Sequence, residues 1–245
     1  MIDLKECLIL GVVGNYAKHL EQAKEEEFFK SLKVDKNKPK GIFVIYSKDC
    51  NSFLNRFCVD NTYLTYKDNL QAEAELALLC EAEYKNNLLS SLKVTHFCAF
   101  NDASLRIDEN FISKKKNFST SSKACGNFIE FTNFDDLAKY NISSFVYKDN
   151  NEYEYGSKES VKDYLCYADE LLEWICKNVN EQKNEASLEE LLPYFKNQPK
   201  HILISIGATP YSEYALNNSL KVGDKIKIIV SNNINKSELI QEIKL

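Results

Sequence analysis

Residues 70 to 84 carry two conflicting secondary-structure signals, and the choice between them constrains the fold more than any other feature of the chain. The segment is rich in Ala, Leu and Glu, which favour a helix by intrinsic propensity. Its apolar residues recur at every second position: Leu70, Ala72, Ala74, Leu76, Leu78 and Cys80. That period is typical of a strand. We therefore predict a strand, in which Glu73 and Glu75 face the same side about 6 to 7 Å apart.

A third carboxylate is predicted to lie near these two. Asp102 follows an apolar run from 94 to 100, so it should end a neighbouring strand. Three carboxylates raise one another's pKa unless a bound cation compensates them. Because all the ligands are oxygens, the pattern favours Mg²⁺ or Mn²⁺ and leaves coordination positions for substrate and water. The alternative is that Glu73 and Glu75 are solvated charges on a helix.

Composition and charge narrow the class of protein. With 245 residues, 44% of them hydrophobic, the chain can bury a sizeable core. The formal net charge is -5, and apart from residues 114 to 116 the basic residues are scattered, which argues against nucleic-acid binding. No apolar run approaches the roughly 20 residues that cross a bilayer, and no signal-peptide pattern is visible. We expect a cytoplasmic protein that binds neither nucleic acid nor membrane.

The cysteines and histidines point away from a disulfide framework and from a zinc site. The eight cysteines form no Cys-x-x-Cys pair, and several lie in apolar stretches, so we interpret them as reduced thiols. Only three histidines occur, at 19, 96 and 201, which argues against a His-rich zinc site. A metal site in this chain would be built mainly from oxygen.

Strand signals dominate the remaining sequence. The run from 8 to 13 predicts a strand that ends at a Gly14-Asn15 turn, with a helix from about 17 to 31. Longer helical periodicity covers 157 to 183, and a short helix is predicted over 187 to 195. Most strands do not alternate with helices, which argues against a doubly wound parallel sheet. The other predicted strands are 41 to 46, 93 to 99, 127 to 132, 143 to 148, 202 to 206 and 225 to 230.

Five short segments occur in an informative order: GNYAKH from residue 14, EAELA from 73, NDASLR from 101, KNFST from 116 and Ala-Thr-Pro from 208. Their order and spacing resemble the fumarylacetoacetate hydrolase family. A Gly223-Asp224 turn before a predicted strand is also similar to a turn of that family. The resemblance implies an α+β fold, a β-rich roll of mixed sheets with a few flanking helices. It implies one domain over residues 1 to 245, with 1 to 66 as a small subregion, and a possible homodimer.

The resemblance also implies roles for individual residues. Glu73, Glu75 and Asp102 would be the metal ligands, with Mg²⁺ or Mn²⁺ as the ion. Lys116 would stabilise negative charge on the substrate. Thr209 would bind the substrate carboxylate through its hydroxyl, and Arg106 would either bind the substrate or have a structural role. For Lys116 the alternative is a solvated basic loop, and for Thr209 it is a plain turn.

His19 matches a histidine that, in hydrolytic members of the family, works with a glutamate one helical turn later to activate water. That partner position holds Gln22 here. Gln22 can orient the imidazole at i+3, but it cannot accept a proton, and Glu21 lies on a different side of the helix. Ala208 also replaces the glycine that the family usually has before this threonine. These departures alter the substrate pocket more than the metal site.

The favoured hypothesis is a divalent-metal-dependent enzyme acting on a small 2-oxo (diketo) acid. It would catalyse C–C bond hydrolysis, decarboxylation or keto-enol isomerisation through a metal-stabilised enolate. Because Gln22 weakens water activation, decarboxylation and isomerisation rank level with hydrolysis. One alternative is a catalytically lapsed relative that binds a metal or a small molecule. Another is an unrelated α+β protein, in which residues 70 to 80 would be helical.

Overall fold

Two β-sheets that share an apolar core form the centre of the fold in the computed structural model, which describes residues 2–16, 22, 35, 37–107, 109 and 111–245. The predicted helix from 17 to 31 falls almost wholly outside these residues, as do His19 and Glu21. The strands are β1 (Leu8–Val13), β2 (Gly41–Tyr46), β3 (Tyr63–Thr65), β4 (Leu70–Gln71), β5 (Ala74–Lys85), β6 (Leu88–Asp102), β7 (Ser104–Leu105), β8 (Lys123–Cys125), β9 (Ile129–Glu130), β10 (Asn141–Lys148), β11 (Asn151–Ser160), β12 (His201–Ser205), β13 (Lys225–Ser231) and β14 (Lys236–Lys244).

Few helices flank the sheets, and the longest of those described has 14 residues. The α-helices of the described ranges are α1 (Ile112–Lys116), α2 (Phe134–Leu137), α3 (Ala168–Glu181) and α4 (Glu213–Asn217). Short 3-10 helices cover Leu4–Glu6, Phe53–Asn55, Val161–Asp163 and Leu192–Phe195. In the described part of the chain, every helix is too short or too polar to cross a membrane.

Both large sheets mix strand directions or connect strands that are distant in sequence. One has the order β2-β1-β12-β5-β6-β8, with β9 also paired to β6, and the other has the order β11-β10-β13-β14-β3. Strand β1 runs parallel to β12 but antiparallel to β2. A small pair, β4 with β7, lies beside them. This arrangement confirms the predicted α+β fold of mixed sheets with few helices.

The strand signal at residues 70 to 84 is correct, and the helical alternative is wrong. Strand β5 pairs with β12 on one side and β6 on the other, so its backbone groups are satisfied within the sheet. Asn86 and Asn87 join β5 to β6 with φ angles of 55° and 63°, which are typical of a tight hairpin turn. Pairing on both sides therefore overrides the helix propensity of Ala, Leu and Glu.

Two predicted helices need correction. The helix predicted over 157 to 183 begins only at Ala168, because residues up to Ser160 continue β11 and a 3-10 turn follows. Residues 187 to 195 form only a 3-10 turn over Leu192–Phe195, because Pro193 lacks a backbone N–H and disfavours helix before it.

The prediction also missed two long strands, β11 and β14, and three short ones, β3, β7 and β8. Strand β14 escaped notice because two of its inward positions, Ser237 and Gln241, are polar although buried. Strand β11 lies at a sheet edge and begins with four exposed residues, so it carries little apolar signal.

The cysteines behave as predicted. All eight are free thiols, and six of them are buried. Burial raises the pKa of the Cys58 thiol to about 11, so this group stays protonated and packs as a small apolar side chain.

Asn15 fastens the end of β1 to two distant segments. Its side-chain amide donates to the carbonyl of Ile206 at 2.9 Å and to that of Cys166 at 3.0 Å, and its oxygen accepts from the Cys166 N–H at 2.9 Å. Gly207 lies against it with φ +119°, and a Cβ there would come within 2.8 Å of the Asn15 Cβ. Asn15 thus holds the loop that follows β12 in position.

The variant Asn15→Ala should be strongly destabilised, because one buried N–H and two buried carbonyls would lose their partners. We expect the free energy of unfolding to fall by about 3 kcal/mol in urea titrations. The control is Asn217→Ala, since Asn217 is exposed and its side-chain amide donates one turn back, to the Glu213 carbonyl at 2.9 Å. That variant should change stability by about 0.5 kcal/mol or less. Equal losses in the two variants would contradict the assigned role of Asn15.

Candidate metal centre

The three predicted carboxylates converge at one end of the first sheet. Glu73 immediately precedes β5, Glu75 lies within it, and Asp102 ends β6. The Asp102 N–H donates to the Glu73 carbonyl at 3.0 Å, which fixes the register there. All three side chains are buried, and an oxygen of each lies within 4.8 Å of the others. The period-2 pattern therefore gathers these acids as predicted, and they are not solvated charges.

Glu75 is held by donors from the end of β12. The Ser205 hydroxyl and the Gly207 N–H, at 2.8 Å, both donate to its Oε2. Burial raises the pKa of Glu75 to about 8, the charge of Asp102 adds to this, and Lys116 opposes it. Among the described residues no donor reaches its Oε1, so this oxygen is available to a cation.

Lys116 lies inside the acidic cluster. Its ammonium donates to Glu73 Oε2 at 2.8 Å and also to Asp102 Oδ2. It lies 5.3 Å from the centre of the Phe43 ring and is buried. The alternative of a solvated basic loop is wrong for this residue, because helix α1 turns it inward.

Arg106 compensates the other oxygen of Glu73. Its Nη2 donates to Glu73 Oε1 at 3.0 Å and to the Tyr211 hydroxyl at 2.8 Å, while its Nε donates to Gln71 at 2.5 Å. Burial holds the pKa of Tyr211 well above its usual range, so the hydroxyl stays neutral beside the guanidinium. Arg106 thus orients Glu73 and carries positive charge at the edge of the cluster.

Sequence reasoning missed Lys123 and Tyr211. Lys123 lies opposite Asp102 in the β6–β8 pairing, and its ammonium is 3.0 Å from Asp102 Oδ1, an ion pair without hydrogen-bond geometry. The only available signal was a lysine beside Ala124 and Cys125, which by itself does not indicate burial. Tyr211 directly follows the Ala208-Thr209-Pro210 segment. The sequence therefore indicated a site in this region but did not indicate a role for the Tyr211 hydroxyl.

Thr209 and Gln22 lie close to the cluster. The Thr209 N–H and hydroxyl both donate to the carbonyl of Ala74, at 3.0 and 3.3 Å, which places this turn against the start of β5. Gln22 bridges the main chain of Tyr211, donating to its carbonyl at 3.1 Å and accepting from its N–H at 2.7 Å. The predicted partner of Gln22, His19, lies outside the described residues. The assigned roles of these residues stay predictions.

The cluster fits a hard divalent cation. Its candidate donors are carboxylate oxygens, the set that magnesium-like ions prefer. Oε1 of Glu75 and Oδ1 of Asp102 accept no hydrogen bond within the described ranges, although Oδ1 of Asp102 is ion-paired with Lys123 at 3.0 Å. Lys116 and Arg106 meanwhile balance Glu73. The Glu73–Glu75–Asp102 cluster could therefore hold a metal ion.

Comparison with protein families assigns the chain. The model of a family of unknown function, DUF5718, matches residues 24–244. The chain belongs to this family. No curated protein matches it.

Solved structures share the fold of this DUF5718 chain. A 2-keto-3-deoxy-D-arabinonate dehydratase complexed with magnesium and 2,5-dioxopentanoate has a TM-score of 0.60 at 15% identity, over 97% of this chain and 72% of that chain. A fumarylpyruvate hydrolase from Pseudomonas aeruginosa in complex with Mn²⁺ and pyruvate has a TM-score of 0.55 at 14% identity, over 97% of this chain and 89% of that chain. A protein from Yersinia pestis CO92 described as a fumarylacetoacetate hydrolase family protein has a TM-score of 0.57 at 13% identity, over 96% of this chain and 92% of that chain.

These likenesses establish the fold. The DUF5718 chain has the fold of fumarylacetoacetate hydrolase family proteins, at sequence identities that mark it as divergent from them. The resemblance read from the order of short motifs is thereby confirmed at the level of fold.

Removing Lys116 should destabilise the metal-free protein. In Lys116→Met, Glu73 and Asp102 each lose a buried cationic partner, so we expect unfolding free energy in EDTA to fall by about 3 kcal/mol. Mn²⁺ should restore most of that loss, because a bound divalent cation replaces the missing charge. Thermal unfolding with and without Mn²⁺ measures both effects. Lys114→Met is the control, since Lys114 is exposed and pairs with Glu109 at 3.4 Å.

The raised pKa of Glu75 predicts a pH dependence of stability. Its folded pKa, about 8, lies above the ordinary value of 4.5, so between these pH values the folded protein holds a proton that the unfolded chain has lost. Stability in EDTA should therefore fall as pH rises from about 5 to 8. Glu75→Gln cannot titrate, so it should lack this pH-dependent loss. Between pH 5 and 8 its free energy of unfolding should rise by roughly 3 kcal/mol relative to that of the parent. Parallel curves for the two proteins would contradict the assignment.

Proposed function

We propose that this protein is a divalent-metal-dependent enzyme that acts on a small 2-oxo acid. The observation that carries the proposal is the buried triad of Glu73, Glu75 and Asp102, with cations packed against it. Two solved structures of the same fold are complexes, one with magnesium and 2,5-dioxopentanoate and the other with Mn²⁺ and pyruvate. Those small oxo compounds indicate the chemical class of ligand to test here.

The proposed ion is Mg²⁺ or Mn²⁺, because the donors are carboxylates and no histidine or thiol joins them among the described residues. When bound, such an ion acts as a Lewis acid that polarises the 2-oxo group of the substrate. Glu73, Glu75 and Asp102 would hold it.

The neighbouring residues would bind and stabilise the anionic substrate. Lys116 and Arg106 hold positive charge in a buried place, where it stabilises negative charge that develops on substrate oxygen. Thr209, fixed against β5, is proposed to bind the substrate carboxylate through its hydroxyl. Burial of the cluster excludes bulk water, which strengthens each of these interactions.

Gln22 bears on the choice of reaction. Its amide bonds both main-chain groups of Tyr211, and an amide cannot accept a proton at neutral pH. His19 therefore would lack a charged partner for activating water. We propose that decarboxylation and keto-enol isomerisation are as strongly favoured as C–C bond hydrolysis as the reaction of this enzyme. A homodimer and a cytoplasmic location remain predictions from the sequence.

Turnover of a panel of 2-oxo acids tests the proposal. The panel is oxaloacetate and a series of acylpyruvates, assayed with Mg²⁺, with Mn²⁺ and with EDTA. We expect metal-dependent turnover of at least one compound, and a loss of kcat/KM of at least about 100-fold in Asp102→Asn or Glu75→Ala. Glu83→Gln is the control, because Glu83 lies on the same strand, is exposed and bonds Ser91 at 2.8 Å.

The same experiment separates the alternatives. Mn²⁺ binding without turnover of any compound would favour the lapsed binding protein. Metal-independent turnover, or full activity in Asp102→Asn, would contradict the proposed enzyme.

A further inference from the structure

Lys123 is the least expected residue of the metal centre. Its side chain is fully buried, which lysine almost never is unless its charge is paired. The ammonium lies 3.0 Å from Asp102 Oδ1 and donates to the carbonyls of Ala103 at 2.9 Å and Lys116 at 2.6 Å. It is therefore surrounded by oxygens, as a bound cation would be.

The carboxylates of the cluster are already compensated by protein cations. Both oxygens of Glu73 are paired, one with Arg106 and one with Lys116. Both oxygens of Asp102 are paired as well, one with Lys116 and one with Lys123. A divalent ion would thus add two positive charges to a buried cluster whose charge is nearly balanced. Such a charge is strongly unfavourable where water cannot screen it.

Lys123 is less able than Arg106 to move away from an entering ion. Two carbonyls and the β6–β8 pairing fix it, whereas the side chain of Arg106 is 17% exposed and can shift towards solvent. Its repulsion of a metal ion at Asp102 is therefore a permanent property of the fold.

We propose that Lys123 is a fixed internal cation that makes divalent-ion binding depend on the simultaneous binding of an oxyanion ligand, such as a 2-oxo carboxylate. The proposal rests on the proposed metal-dependent function. The anion supplies the negative charge that the ion requires, so each ligand strengthens the binding of the other by the same factor. Lys123 acts through its charge beside Asp102, and it is not assigned a direct contact with the substrate.

A purely structural Lys123 leads to the opposite expectation. If the residue only held Asp102 and β8 in place, its replacement would weaken metal binding or leave it unchanged. If its charge opposes the ion, a neutral replacement that still folds should strengthen metal binding. The direction of change in metal affinity therefore distinguishes the two roles.

The experiment measures the Kd of Mn²⁺ for the full chain by calorimetry, with and without oxalate. For the parent protein we expect oxalate to lower this Kd by at least about tenfold. In Lys123→Gln, which keeps a donor for the carbonyls, Mn²⁺ alone should bind at least about tenfold tighter than in the parent. The effect of oxalate should shrink there to about threefold or less. Lys123→Met provides a second neutral variant.

Control measurements isolate charge from folding. Lys139→Gln removes an exposed lysine that pairs with Asp136 far from the cluster, and it should change neither Kd nor the oxalate effect. Near-UV circular dichroism reports whether each variant retains its tertiary packing. The oxalate effect in the parent tests the dependence on an anion even if both Lys123 variants fail to fold.

The outcomes separate this inference from the proposed function. If the parent binds Mn²⁺ with oxalate but the folded variants bind Mn²⁺ no tighter, the inference is overturned and the metal site stands. Tight binding of Mn²⁺ to the parent with no gain from oxalate overturns the inference in the same way. If neither parent nor variants bind Mn²⁺ with oxalate, both proposals fail.

Discussion

The pairing of β5 with β6 is the constraint on which the site depends. It brings Glu73 and Asp102 together through a main-chain hydrogen bond of 3.0 Å and directs three carboxylates into a buried volume. Buried carboxylates are unfavourable unless cations and donors compensate them. The positions of Lys116, Lys123 and Arg106 follow from that requirement.

The compensating groups come from separate parts of the chain. Lys116 ends a short helix, Lys123 begins β8, and Arg106 follows β7. Ser205 and Gly207 reach Glu75 from the end of β12, whose position depends in turn on Asn15. The acidic centre and the fold therefore stabilise each other, because a change in either leaves charges or polar groups unpaired.

The likeness to solved structures is one of fold, and the chemistry of the centre has to be argued from its own residues. The three acids, Lys116 and Arg106 match the motif pattern, whereas Gln22 and Lys123 do not follow from it. Gln22 bonds the main chain of Tyr211 and stands where the family has a glutamate that can accept a proton. Lys123 adds a buried positive charge beside Asp102. A divergent substrate or a changed dependence on ligands is consistent with both.

The sequence by itself determined the strand that carries Glu73 and Glu75, because alternation of apolar residues reports which face is buried. It also determined the reduced state of the cysteines and the order of the site segments. Only the tertiary structure decided that Lys123 pairs with Asp102, that Tyr211 meets Arg106, and that α3 begins at Ala168. These depend on contacts between residues far apart in the chain, and local pattern carries no information about which distant groups will compensate a buried charge.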